Sequence, residues 1–342
     1  MCKHPLKGFP IGIWPDSGKP KYKIVSYSTD FVRFDGDHWH ALQGVPFGDY
    51  VSDFIEIPCG QCIECRLQYA RDWANRCMLE AQYHDENWFL TLTYDDDHLP
   101  DRHELVNCET GEIVPSPIVS LNKDELSSFM KRLRKNTGQK IRFFGCGEYG
   151  DETHRPHYHV IIFGLHLNDL KIYKTNFRGE ILYNSPTIDK AWQQRGHAVL
   201  AECSWDTCCY VARYVTKKLK GKSSEIYEDL GIYPPFVRMS RDPGIARYYY
   251  DDNKDKIYDY DKILLSTSVG GRSFKPPRYY DRLYDVEYPS DMAAIKLNRQ
   301  FVAEKVKTNK LKRTDLSYLE MLAIEEDTLI NRLGHLKERS KV

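Results

Sequence analysis

Apolar positions along the chain follow two rhythms. From Gln61, the segment QCIECRLQYARDWANRCMLEAQYH sets Leu67, Ala70, Ala74, Cys77 and Ala81 three and four residues apart, which predicts a helix. The next stretch, Trp88–Tyr94 (WFLTLTY), has the β-branched and aromatic content of a strand. Asp95–Pro117 reads as loop, with GEIV as a short strand within it. LNKDELSSFMKRLRK predicts a helix to about Lys135, with Ser120 or Asn122 as N-cap and Glu125 placed for a capping box with Asn122. IRFFGCGEY, the turn-like GDETHRP and HYHVIIFG then predict an antiparallel hairpin. TIDKAWQQR at 187–195 reads as a short helix and HAVLAE as a strand. SWDTCCYVARYVTKKLKG is a further helix, with Ser204 as N-cap and Gly221 as its stop.

The flanks are less regular. Residues 1–58, rich in Gly, Pro and aromatics, show short β-like runs such as YKIVSYS and DFIEI and predict an irregular N-terminal region. Past residue 222 the chain is loop-rich and tyrosine-rich, and RYYYDDNKDKIYDYDK has no clear periodicity. Residues 289–336 are helical in pattern but charged, as expected of a peripheral arm. No internal repeat is present. Strands separated by helices around a central hairpin predict an α+β fold, a mostly antiparallel central sheet flanked by helices. The expected organisation is an irregular region at 1–58, a catalytic domain at 59–285 and a helical C-terminal arm at 286–342.

Length and composition narrow the class. The 342 residues leave room for a sizeable core, and 41% hydrophobic with 29% charged residues is ordinary for a soluble globular protein. No apolar run approaches the roughly 20 residues of a membrane span. The N-terminal MCKHPLKGFPIGIWPD lacks the apolar core of a signal peptide, so an intracellular location is expected. Lys+Arg and Asp+Glu both total 49, and the whole-chain charge therefore gives no case for nucleic acid. Local charge does. Residues 131–142 carry six basic side chains and no acidic one, and residues 210–222 carry five and none. Such patches can hold a phosphate backbone. Lys131, Arg132, Arg134 and Lys135 of the first run and Arg213 of the second are the candidate DNA-binding side chains.

In a strand, residues i and i+2 share a face, so His157 and His159 present two imidazoles side by side while Tyr158 faces away. Such a pair can chelate one divalent cation. Pro156 lacks a backbone donor and suits the first residue of a strand. If GDETHRP closes the hairpin, Glu148 lies near the register of the histidines and offers a third ligand, with Asp151, Glu152 and His154 as rivals. Mixed nitrogen and oxygen ligands favour Mg²⁺ or Mn²⁺, without excluding zinc. Strand-end histidines with no ligand role are the plainer alternative.

Tyr210 and Tyr214 are four apart and share a helix face, which Lys217 or Lys218 extends. Two phenols and an ammonium in line suit covalent phosphodiester chemistry: the tyrosine attacks phosphorus and a lysine offsets developing charge. A phenol of pKa about 10 remains a good leaving group, so a sugar hydroxyl can reverse the step. With 24 tyrosines in the chain, an aromatic core stripe is the competing explanation. Cys59, Cys62 and Cys65 form C-x2-C-x2-C, the pattern of a structural Zn²⁺ site whose fourth ligand would be Cys77 or a histidine. Three reduced thiols at a helix start would also account for it.

In combination these segments resemble a known family. FLTLTY, HYHVIIFG and YVARYVTKK occur in the order shown by HUH-type replication initiators and relaxases. The resemblance is greatest to the replication initiation proteins of Microviridae, the gokushovirus group among them, through CGQCIECR, FFGCGEYG, RPHYH, YVARYVTKK and PPRYYD, and it covers roughly residues 56–285. It implies an HUH endonuclease-like sheet and a metal-dependent enzyme that nicks and religates single-stranded origin DNA to start rolling-circle replication, in the cytoplasm of an infected bacterium. His157 and His159 match the metal-binding pair, Tyr210 and Tyr214 the paired nucleophiles, Lys217 or Lys218 the associated lysine, and Glu148 the third ligand. The middle residue of the histidine motif is usually aliphatic in the family and is Tyr158 here. No Walker A loop is evident, so unwinding would fall to a host helicase and synthesis to a host polymerase. A transposase-like strand transferase and a non-enzymatic, zinc-stabilised nucleic-acid-binding protein are the alternatives.

Overall fold

The structure is a computed structural model that describes every residue except 1, 17, 107–109, 151–152, 177–178, 215–224, 268–269 and 340–342, and the side chains at 213–214, 267 and 334–339 are likewise outside it. The chain forms two compact units, residues 1–68 with 300–342 and residues 69–299. The first opens with β1 (Leu6–Ile13), β2 (Pro20–Ser26), β3 (Phe31–Phe34), β4 (Trp39–Leu42), β5 (Tyr50–Val51) and β6 (Ile55–Ile57), followed by the start of α1 (Ile63–Ala81). The region expected to be irregular is thus two three-stranded antiparallel sheets, in the orders β2-β1-β6 and β4-β3-β5. Their strands are short and mostly exposed. Among the described residues only Phe9, Phe31 and Val32 are fully buried hydrophobics within them, which is why little alternation marks the sequence.

The second unit holds β7 (Asn87–Tyr94), β8 (Glu104–Val106), β9 (Ile113–Pro115), α2 (Glu125–Thr137), β10 (Arg142–Tyr149), β11 (Pro156–Phe163), β12 (Lys171–Thr175), β13 (Ile181–Asn184), α3 (Pro186–Trp192) and β14 (Gly196–Glu202). It continues through α4 (Trp205–Tyr214), α5 (Glu225–Asp229), β15 (Phe236–Met239), α6 (Arg247–Tyr260), β16 (Ile263–Thr267), β17 (Gly270–Phe274), α7 (Arg278–Glu287) and the start of α8 (Pro289–Leu311). The rest of α8 and α9 (Tyr318–Arg339) belong to the first unit. Seven strands form one antiparallel sheet in the order β12-β13-β14-β7-β11-β10-β15, the α+β arrangement the sequence predicts.

Alternation along the central strands sorts side chains between two cores. On one face, Leu90, Leu92, Tyr158, Val160 and Ile162 pack with Phe129 and Leu133 of α2 and with Ile188 and Trp192 of α3. On the other, Phe144, Cys146, Ile161 and Phe163 pack with Ala74 and Cys77 of α1, Cys208 and Val211 of α4, and Tyr250 and Ile257 of α6. Two local expectations are corrected. Helix α2 begins at Glu125 rather than near Asn122, because the Asn122 side chain accepts from the Asp124 N–H (2.9 Å) and holds a turn there. The Glu125 carboxylate, instead of closing a capping box, accepts from Arg132 (2.8 Å) and Arg195 (2.9 Å). The polar stretch from Arg247 is the helix α6, whose buried side chains Tyr249, Tyr250, Ile257 and Tyr258 are interrupted by a polar turn at Asn253 and Lys254 that hides the period.

One buried charge network fastens the second core. Glu80, 1% exposed at the end of α1, accepts from Arg142 Nε and from the Ala246 N–H, both at 2.5 Å, and hydrogen-bonds His84 (3.1 Å). Arg142 also donates to the Pro243 carbonyl (2.7 Å). Burial pushes the Glu80 carboxyl up, but His84, the Ala246 N–H and Arg142 outweigh it and hold it below its ordinary value. Its contribution is therefore present above the unfolded carboxyl value of about 4.3 and lost as pH falls through the lower folded value. We expect Glu80→Ala to cost about 3 kcal/mol at neutral pH, since it leaves the Arg142 charge buried without its carboxylate. Thermal denaturation of the variant and the wild type at pH 7 and pH 3.5 checks this, because the difference shrinks on acidification.

Candidate active site

Antiparallel neighbours that stand opposite one another project to the same face of a sheet. Across β7, β11 and β10 the register aligns Thr93 with His157 and His157 with Glu148, and one pleat further it aligns Thr91 with His159 and His159 with Cys146. Two threonines, two histidines and a carboxylate therefore share the face that packs under α1 and α4. The Thr91 hydroxyl hydrogen-bonds Nδ1 of His159 at 3.0 Å, and the Thr93 hydroxyl hydrogen-bonds Nδ1 of His157 at 3.1 Å. With both Nδ1 atoms occupied, Nε2 is the ligating atom of each ring. Nε2 of His159 is 3.0 Å from a Glu148 carboxylate oxygen, and both residues are 4% exposed.

The surroundings suit ligation by neutral imidazole. Burial, and then the neighbouring His159, hold His157 below the ordinary histidine value, which keeps it unprotonated near neutrality. Gly150 makes room for that ring: a Cβ at 150 would lie 2.8 Å from Nε2 of His157. The imidazole ring centres are 6.5 Å apart. Among the described residues the three ligand atoms do not close to within 4.8 Å of one another, so a divalent ion held here takes the place of the hydrogen bond between His159 and Glu148. His154, a rival ligand, is exposed in the hairpin turn at a φ of 50°, and Asp151 and Glu152 lie outside the described residues.

Helix α4 brings a phenol to this face. The Ser204 hydroxyl accepts from the Thr207 N–H (3.1 Å), capping the helix as its sequence predicts. Cys208, Val211 and Ala212 are buried, and the Cys146 thiol donates to the Val211 carbonyl (3.8 Å). Tyr210, 41% exposed, sets its ring edge-on to His159 with centroids 5.2 Å apart and edge-on to Phe89 at 5.8 Å. Tyr214 closes the helix, but its side chain, like those of Arg213, Lys217 and Lys218, lies outside the described residues.

The remaining expected residues fall elsewhere. Helix α2 packs on the opposite sheet face. There Arg132 donates to the Ala191 carbonyl and to Glu125, and Arg134 donates twice to the Ile141 carbonyl, while Lys131 and Lys135 are exposed. Cys59, Cys62 and Cys65 do converge, in the first unit, with Cys2. The expected fourth partner, Cys77, is instead fully buried in the core of the second unit. Thr91, Thr93, Gly150 and Cys2 were not legible as site residues. The signal for the threonines was the alternation in FLTLTY, which sends two hydroxyls to the face opposite the leucines. His197, paired with Thr93 from the other side, adds an exposed imidazole to the same row.

Because partners of this kind fix ring orientation, Thr91→Val or Thr93→Val should weaken Mn²⁺ binding about ten-fold while leaving the fold intact. Isothermal titration with Mn²⁺ measures this, and unchanged affinity in both variants would separate the threonines from the site.

Comparison with known proteins places these elements in a lineage. A family of replication-associated proteins, typified by ORF2, matches residues 87–219, the stretch from β7 through α4. The chain is 34% identical over 288 residues to Replication-associated protein ORF2 of Spiroplasma virus 4, covering 82% of this chain and 84% of that protein. It is 32% identical over 253 residues to Replication-associated protein VP4 of Bdellovibrio phage phiMH2K, covering 72% and 75%. It is 33% identical over 204 residues to Replication-associated protein ORF4 of Chlamydia phage 1, covering 57% and 44%. No solved structure matches the chain. With sequence shared along most of the length of two such proteins, the chain belongs to the family of replication-associated proteins of Microviridae-like phages.

Proposed function

We propose that the protein is an HUH-type, two-tyrosine endonuclease that nicks single-stranded origin DNA and religates it to start and finish rolling-circle replication. The observation that carries this reading is the shared sheet face, on which His157, His159 and Glu148 converge and the Tyr210 ring stands 5.2 Å from that of His159. The activity is assigned to residues 59–285, with the helical arm at 286–342 outside it. The relatives, each called a replication-associated protein, favour replication over a transposase-like strand transfer.

The chemistry follows from the groups. A Tyr210 or Tyr214 phenolate oxygen forms a bond to the scissile phosphorus, and the bond from phosphorus to the 3′ oxygen breaks. This leaves a free 3′-OH and a 5′-phosphotyrosine. A Mg²⁺ or Mn²⁺ ion held by His157, His159 and Glu148 supplies charge for the non-bridging oxygens. Lys217 or Lys218 offsets the charge that develops in flight. After one circuit, the second tyrosine cuts the regenerated origin, and the released 3′-OH displaces the first phenolate to close a circle. The four-residue spacing lets the two tyrosines serve one site in alternation. Lys131, Lys135 and Arg213 meet flanking phosphates, with Arg132 and Arg134 serving the α2 packing. A host helicase and polymerase act with it in the cytoplasm of the infected cell. No helix among the described residues is long and apolar enough to cross a membrane.

Labelled single-stranded DNA carrying the origin, incubated with the protein and Mn²⁺, should yield a denaturant-resistant adduct. Tyr210→Phe/Tyr214→Phe and His157→Ala/His159→Ala should each abolish it. A single Tyr→Phe change should still nick but fail to release closed circles. An adduct formed at the wild-type rate by the double phenylalanine variant would overturn the nucleophile assignment. Salt-sensitive DNA binding with no adduct under any condition would favour the non-enzymatic binder.

A further inference from the structure

The first unit holds a metal-ligand set that plays no part in nicking. Cys2, Cys59, Cys62 and Cys65 bring four thiol sulfurs within 4.8 Å of one another. The sulfurs of Cys2 and Cys59 are 3.5 Å apart and those of Cys2 and Cys62 are 3.8 Å apart. A zinc ion with Zn–S bonds of about 2.3 Å at the centre of a tetrahedron sets neighbouring sulfurs about 3.8 Å apart, so the spacing is that of a single ion. It is far longer than the disulfide bond length of about 2.05 Å, and these cysteines are all free thiols.

The backbone around the cluster is arranged for thiolates. The Cys59 N–H donates to Cys2 Sγ (3.3 Å), the Gln61 and Cys62 N–H groups donate to Cys59 Sγ (3.4 and 3.3 Å), and the Lys3 N–H donates to Cys62 Sγ (3.4 Å). Hydrogen bonds to sulfur stabilise the charged form that a metal requires. Lys3 links the cluster to the C-terminal helix: its side chain, 8% exposed at the residue level, pairs with Glu325 (2.5 Å), and His4 contacts Glu326 (2.5 Å).

We infer that this protein carries one structural zinc ion ligated by Cys2, Cys59, Cys62 and Cys65. All four positions are filled by protein sulfur, so the site is closed and has no open place for substrate or water. Its effect is to join the start of the chain, 57 residues away in sequence from Cys59, to the opening turn of α1, and through Lys3 to brace α9. The metal thereby compensates for two sheets with few buried hydrophobics.

The test uses the full-length protein purified under reducing conditions. Elemental analysis should find one zinc per chain, released when a mercurial modifies the thiols. Cobalt exchanged into the wild type should show the intense visible bands of tetrahedral thiolate coordination. Cys2→Ser should lose the zinc, whereas Cys203→Ser, whose thiol lies in the other unit, should retain it. Wild-type protein free of stoichiometric metal, stoichiometric iron in place of zinc, or zinc retained in full by Cys2→Ser would each overturn the inference. These readouts are independent of nicking, so the zinc assignment fails or holds apart from the reading of the histidines and tyrosines.

Discussion

The register between β11 and its two neighbours is the constraint on which everything else depends. A slip of one residue would send His157 and His159 into the α2 core and turn Tyr158 toward α4. Several contacts hold the register. Tyr158, Val160 and Ile162 are fully buried beneath α2 and α3, and the Tyr158 hydroxyl donates to the Asn122 carbonyl (3.1 Å) while accepting from the Asn122 N–H (3.2 Å). The residue that departs from the aliphatic habit of its motif is thus an anchor between the strand and the start of α2. On β10, Gly145 and Gly147 leave the space that this packing uses. A Cβ at 145 would meet the His159 carbonyl at 2.9 Å, and one at 147 would meet the Phe236 ring at 2.6 Å.

The same pleat divides labour between the two sheet faces. One face is hydrocarbon, apart from hydroxyls tied to backbone. The other grades from hydrocarbon at Phe144 and Ile161 to polar groups at Thr91, His159, Thr93, His157 and Glu148. Helix α4 is docked over the hydrocarbon part by Cys208, Val211 and Ala212, and this leaves Tyr210 beside the polar part. A rigid sheet and a packed helix together set the distance between ligand and nucleophile, which is the preorganisation that phosphoryl transfer requires. Burial of His159 and Glu148 carries a cost that a divalent ion would relieve.

The sequence made legible those features that depend on local period. The alternation of β7, the histidines two apart in β11, the hairpin that brings Glu148 opposite His157, and the spacing of Tyr210 and Tyr214 are all readable within one or two elements. What escaped depends on distance or on competition. Thr91 and Thr93 acquire meaning only once β7 is known to lie beside β11, some 60 residues later in the chain. Cys2 is unremarkable until the fold returns Cys59 to it. The capping box failed because Glu125 had stronger partners in Arg132 and Arg195. The basic run of α2 looked like a phosphate patch, yet Arg132 and Arg134 are spent on backbone carbonyls and Glu125, a choice that composition cannot reveal.

The central claim is that one sheet face, set by the register of β11, holds a divalent ion next to the Tyr210 phenol. Anomalous diffraction from crystals grown with Mn²⁺, collected at the manganese absorption edge, tests it most directly. The predicted result is a peak bonded to Nε2 of both His157 and His159 and to a Glu148 carboxylate oxygen, with the His159–Glu148 hydrogen bond gone. A peak at another set of ligands, or full manganese occupancy with the two imidazoles still unligated, would contradict the account.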